Sequence, residues 1–181
     1  AQGFDTIATA AAEFARQGLG VEETLKRVND AMILTRLSGL EAANSVQTLT
    51  AAINSFSKEA LNSTQVVNRL ANVDAAFAVS SKDLADAMAR AGAAAQSAKV
   101  EFNELLAVTT AVQERTARGG AVIGNAFKTI FTRLQRSKVR ETLESIGVAT
   151  QNSMGEFRSA TAVLRDYAAL YGQLSDQQRA Y

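Results

Sequence analysis

Residues 115–136 read RTARGGAVIGNAFKTIFTRLQR, and the fold turns on whether this stretch is a ligand loop or a packed helix. It holds three glycines, Gly119, Gly120 and Gly124, and an apolar ladder of Ile123, Phe127, Ile130, Phe131 and Leu134. On a wheel of about 100° per residue the ladder falls within about 80° of Ile123, while Lys128, Arg133 and Arg136 fall on the half opposite the ladder's centre. Each buried apolar side chain is worth about 2 kcal/mol, against a few tenths for an exposed charge. The helix therefore faces inward and carries its cations as a surface stripe. A phosphate loop would need Gly-Lys-Ser/Thr after four residues, and here Gly124 is followed by Asn125 and Ala126. A dinucleotide fingerprint would need a preceding strand. The glycines instead predict a tight helix–helix turn at Gly119-Gly120 and a close contact at Gly124.

The rest of the chain agrees with helix. Its 181 residues include no proline, where average usage of about 5% predicts roughly nine, and 35 alanines. Proline breaks helices and alanine costs them nothing. The expectation is an all-α protein without a sheet, either a multi-helix bundle or a stack of short antiparallel helical hairpins. Nothing rich in Pro, Gly or Ser divides it, so residues 1–181 read as a single domain. Ala1 stands inside a helix-like run, and Ser175-Asp176-Gln177-Gln178 is a capping box announcing one more helix. Both ends suggest a fragment of a longer chain.

Helices are expected over residues 4–17, from Val21 through Leu37, and from Ala42 to Phe56. The next runs from Asn62-Ser63-Thr64 to Phe77, followed by a short one from Ser80 through Leu84 and Met88. The second should bury Val21, Leu25, Val28 and Met32 and be apolar all round at Ile33, Leu34 and Leu37. The small residues 89–98 either admit a close neighbour or fray. Further helices are expected from Glu101 to Thr116, through 115–136, and over 137–146. A last one carries Phe157, Leu164, Tyr167, Tyr171 and Leu174.

Chemistry is sparse. With no histidine and no cysteine the chain lacks the commonest general base, nucleophile partner and zinc ligands. Glu101 with Glu104, and Glu141 with Glu144, are pairs one turn apart that read as first-turn acids or exposed charge. No catalytic, metal or cofactor site is expected. Between Arg115 and Arg140 there are seven cations and no acid, although the whole chain is only +1. The stripe of Arg118, Lys128, Arg133 and Arg136 faces solvent, an acidic protein surface, or nucleic acid or an anionic membrane.

Residues 72–136 resemble the core region of tailed-bacteriophage tail tape measure proteins, whose order is SSxDLAxAMxRxGxAAxxAxV, FxELLAxxTAVQ, an arginine–glycine turn and GxAxKTIFxRLxR. The matching positions are Ser80, Ser81, Asp83, Leu84, Ala85, Ala87 and Gly92, then Glu104-Leu105-Leu106-Ala107, Arg118-Gly119-Gly120 and Thr129 through Leu134. Upstream GLGVEETLKRVNDAM and SGLEAANSVQTLTAAINSF and downstream LSDQQRAY are similar too. Glu101 departs from a capping Ser or Thr, weakening that cap. Ser137 departs from a proline, allowing the helix to run on into 138–146. The resemblance implies a structural virion protein in the tail lumen, made in the host cytoplasm. It would act in tail assembly, length determination and genome ejection. Its implied partners are the tail-tube protein, tail assembly chaperones and tail-tip or baseplate proteins, with self-association a further option. The alternatives are a basic module for nucleic acid or anionic membrane, or a non-catalytic part of a tail-associated cell-wall hydrolase.

Overall fold

The computed structural model describes residues 3–175 and 179. Its helices are α1 (Phe4–Ala15), α2 (Val21–Ser38), α3 (Ala42–Ser55), α4 (Ser63–Ala76), α5 (Ser81–Ser97), α6 (Phe102–Thr116), α7 (Gly120–Leu134), α8 (Ser137–Ser145) and α9 (Ala160–Tyr171). A 3₁₀ turn, Ser57–Glu59, joins α3 to α4. Among the described residues there is no strand, and one isolated antiparallel bridge pairs Gln151 with Phe157. The protein is all-α. The expected helix beyond Ser175 falls on Asp176, Gln177 and Gln178, outside the described residues.

The main core takes side chains from α1 through α7, and Ala160 at the start of α9. Val46, Leu49 and Phe56 of the third helix's repeat share this core with Val66 and Leu70 of the fourth and Phe102 and Leu105 of the sixth. Phe56 and Phe102 pack edge to face with centroids 5.3 Å apart. A smaller cluster of Leu143, Val148 and Val163 joins α8 to α9, and Leu134 packs against both clusters.

Several expectations are corrected. α5 is not short: it continues through the alanine-rich stretch to Ser97, burying Ala91, Gly92 and Ala95. A Cβ at Gly92 would stand 3.0 Å from Ser55 Oγ, so small residues there let α3 come close. α2 does not bury Val21 or Leu25, which are 79% and 64% exposed, and Ile33 and Leu37 also face out. Its inward face is Thr24, Val28, Asp30, Ala31, Met32 and Leu34, because a hydrogen-bonded polar group is accepted in a core. Phe77 is half exposed because α4 ends at Ala76 and the next residue is extended. Phe157 precedes α9 and Leu174 follows it. α7 does not run on past Ser137: Arg136 is extended and a new helix begins.

Five of the helix starts share one device. A carboxylate from elsewhere in the chain receives hydrogen bonds from the first turn, where free N–H groups and the helix dipole favour an anion. Asp30 accepts from Ser63 Oγ at 2.6 Å and Thr64 Oγ1 at 2.9 Å at the start of α4. Asp74 accepts from the Ser81 N–H and hydroxyl at α5. Glu59 accepts from the Phe102 N–H at 2.7 Å at α6. Asp83 does so at α7, and Glu104 accepts from Thr161 Oγ1 at α9. Glu104 also accepts from the Glu101 N–H at 3.1 Å, so the start of α6 is capped despite the missing Ser or Thr.

Candidate functional site

The turn at 117–119 is where the opening stretch acquires its geometry. Ala117 closes α6 in the left-handed region, φ 52, donating its N–H to Gln113 O at 2.8 Å. Gly119 is extended and Gly120 begins α7 against α5. The Gly120 N–H donates to Asp83 Oδ1 at 2.7 Å, and Asp83 Oδ2 accepts from Gln113 Nε2 at 2.7 Å and Ser80 Oγ at 2.8 Å. Burial pushes the Asp83 carboxyl up, but those three hydrogen bonds and the Lys82 charge outweigh it and hold the carboxyl below its ordinary value. Asp83 thus caps its own helix with Ser80 and fastens the next hairpin.

Beyond the turn the two helices lie backbone to backbone. A Cβ at Gly120 would stand 1.8 Å from the Asp83 carbonyl oxygen, and one at Gly124 would stand 2.8 Å from Ala87 Cα. Such closeness fixes the rotation of α7. Ile123, Phe127 and Phe131 point into the core, with the two phenylalanine rings stacked at 5.5 Å, and Leu134 is half-buried. Ile130 sits at the rim, 37% exposed, rather than inside.

That rotation turns the cations outward. Lys128, Arg133 and Arg136 are exposed and line one shallow depression with Asn125, Thr129 and Thr132. The two threonine hydroxyls are engaged with carbonyls four residues back. Arg118 is exposed in the turn and lines none of this; about 12 Å of helix rise separates the start of α7 from Lys128. Among the described residues none of these four cations has an ion pair.

Three further cations gather near the end of α7 that sequence reasoning did not group. Lys99, Arg140 and Arg158 line a cavity of about 190 Å³ between the last turns of α5 and α7, α8 and the start of α9. Its apolar walls include Leu134, Ala160 and Val163. The Ala160 N–H donates to Ala98 O at 2.9 Å, fastening α9 to the end of α5. The Arg140 guanidinium lies over the Phe157 ring at 4.1 Å. Arg158 donates to Asp166 at 2.7 Å and to Ala149 O at 2.8 Å. Arg140 belongs to the cation run, but Lys99 and Arg158 lie far from it in the chain. One local sign does exist at Lys99. It occupies φ 56, the position after a helix end that glycine usually fills, with its N–H on Gln96 O and the Val100 N–H on Ala95 O.

The glutamate pairs have structural work. Glu104 is bonded to Glu101 and Thr161, and Glu144 accepts the Thr150 hydroxyl, while Glu101 and Glu141 are exposed. Among the described residues no cluster of three acidic side chains is placed to hold a metal ion, and no helix is long and apolar enough to cross a membrane.

No solved structure matches the chain. The model of a family described as phage-related minor tail protein matches residues 2–181, nearly the whole length. Closely packed helices with an exposed basic side suit a part that works by contact, and by that match the chain belongs to the phage-related minor tail protein family, making it a structural protein of the phage tail.

Proposed function

We propose that the chain is a segment of a tail tape measure protein that acts by organising or docking its parent chain during tail assembly, and not as the ruler itself. The observation that carries this reading is the seam between α5 and α7. Of the residues that carry the tape measure resemblance, Asp83, Ala87 and Gly120 clamp or closely approach across it, and Ser80 hydrogen-bonds the Asp83 carboxylate that makes the clamp. A ruler gains about 1.5 Å per residue as continuous helix. Helices of 9 to 18 residues that fold back on one another do not add length in that way.

In this reading the segment contributes to length determination by seating the parent chain against the tail-tube protein, the assembly chaperones or the tail-tip and baseplate proteins. It rides in the tail lumen until ejection. It performs no catalysis, and a muralytic assay on the purified chain is expected to show no peptidoglycan hydrolysis. The deciding experiment is an in-frame deletion with tails measured by electron microscopy. Failed or irregular assembly is the expected result, with any completed tails of normal length. Tails shortened in proportion to the residues removed would make the segment part of the ruler.

A further inference from the structure

Three depressions adjoin along one side of the molecule. The first lies among Lys128 and Arg133 of α7 and Arg136 just beyond its end. It shares Thr132 and Arg136 with the second, which passes over Ala93 and Ala94 of α5. The second shares Ser97 and Gln135 with the third, the cavity of about 190 Å³. The three depressions thus form a row, here called the trough, from Lys128 to Arg158 with six cations along it, and among the described residues no carboxylate lines any part. Among the described residues Arg158 alone of the six has a counterion, Asp166.

We propose that this trough docks an extended acidic segment of a partner protein, with one carboxylate side chain seated in its enclosed end. Charge complementarity is the first argument: five of the six cations have no ion pair among the described residues, and a row of carboxylates would supply them. The second is the preparation of the closed end. The Phe157 ring holds the Arg140 guanidinium in place at 4.1 Å, and a guanidinium carries a planar fork of N–H donors that fits a carboxylate. Lys99 keeps a long charged side chain at a left-handed position where glycine is cheaper.

Nucleic acid fits less well. The third depression, about 190 Å³, is below the roughly 300 Å³ at which small-molecule pockets begin, and its size suits a side chain better than a nucleotide. Single strands are held on successive aromatic platforms. Among the described residues Phe157 is the only ring on the trough, and Arg140 lies against it. Along α7, Lys128 to Leu134 spans about 9 Å, and Arg136 lies two residues beyond. That helical span is the reach of about three extended residues at about 3.3 Å each, with alternate side chains facing the helix.

The test is fluorescence anisotropy of the whole 181-residue chain with two probes, a peptide of alternating Glu and Ala and an oligothymidylate of equal charge. The peptide is expected to bind more tightly than the oligonucleotide, with affinity falling as salt rises. Lys99→Gln with Arg140→Gln is expected to weaken the peptide at least tenfold. Arg115→Gln with Arg118→Gln, which removes the same charge away from the trough, is expected to change it less than twofold. Circular dichroism checks the fold of each variant. If the Lys99 and Arg140 pair unfolds the chain, Lys128→Gln with Arg133→Gln at exposed positions of α7 gives the same reading. Tighter binding of the oligonucleotide, equal losses in trough and control variants, or no peptide binding would each overturn the proposal. All of these outcomes are read on this chain alone, so they stand apart from the tail-length experiment.

Discussion

Asp83 and Gly120 are joined twice over: the carboxylate of one receives the N–H of the other at 2.7 Å, and the Asp83 carbonyl leaves only 1.8 Å for any Cβ that Gly120 would carry. Two helices meet here through backbone, and no side-chain adjustment relieves a clash with a carbonyl. Gly120→Ala is therefore expected to cost about 3 kcal/mol or more, the upper range for overpacking, read by urea or thermal unfolding. Gly124→Ala meets Ala87 Cα at 2.8 Å and should cost about 1–3 kcal/mol. Gly20→Ala is the control, extended and with nothing within 4 Å, and should stay within about 0.5 kcal/mol.

The same clamp predicts a pH dependence. Folding holds the Asp83 carboxyl below its ordinary value. Its stabilisation is thus fully present above the ordinary aspartate value and is lost as pH falls through the lower, folded one. Asp83→Asn keeps the shape but gives up charge-assisted bonds, a loss of about 1.5–3 kcal/mol at neutral pH. The stability gap between the two proteins should be constant at neutral pH and close below the carboxylate range. A gap that persists unchanged at acid pH would mean that the charge plays no part.

Asp30 offers a test of the buried clamps. Its partner Ser63 is fully buried, so Asp30→Ala strands a hydroxyl as well as removing two hydrogen bonds. The expected cost is about 3 kcal/mol, with Asp30→Asn losing less because an acceptor remains. In a double-mutant cycle with Ser63→Ala the combined loss should be well below the sum of the single ones. Additive losses would show that the pair does not act together.

These clamps mark where reading the sequence stops. The repeats Val46-Leu49-Phe56 and Ile123-Phe127-Phe131 reveal their inward faces because burying a stripe at helical spacing is a local property. Glycine spacing at 119, 120 and 124 is local too. Asp30 with Ser63, Glu59 with Phe102 and Glu104 with Thr161 pair across distant stretches, and nothing near a carboxylate in the chain says which helix start it will cap. The same blindness misplaced Val21 and Leu25: they share a spacing with Val28 and Met32, but the neighbours of α2 lie on the side that carries Asp30. In the trough, Lys128, Arg133 and Arg136 were visible as one helix face. Lys99 and Arg158 arrive from other elements.

Lys99 joins stability to the docking surface, because its backbone and its side chain make opposite demands. At φ 56 a residue with a Cβ is strained by about 1–2 kcal/mol, of which glycine recovers about half after its own entropic cost of about 0.5–1 kcal/mol. Lys99→Gly is expected to raise Tm slightly while weakening the acidic peptide. Ala117→Gly, at φ 52 at the left-handed end of α6, should raise Tm similarly and leave peptide binding alone. If Lys99→Gly stabilised the chain and bound the peptide as well as before, the strain at Lys99 would owe nothing to binding, and the closed end of the trough would lose its strongest support.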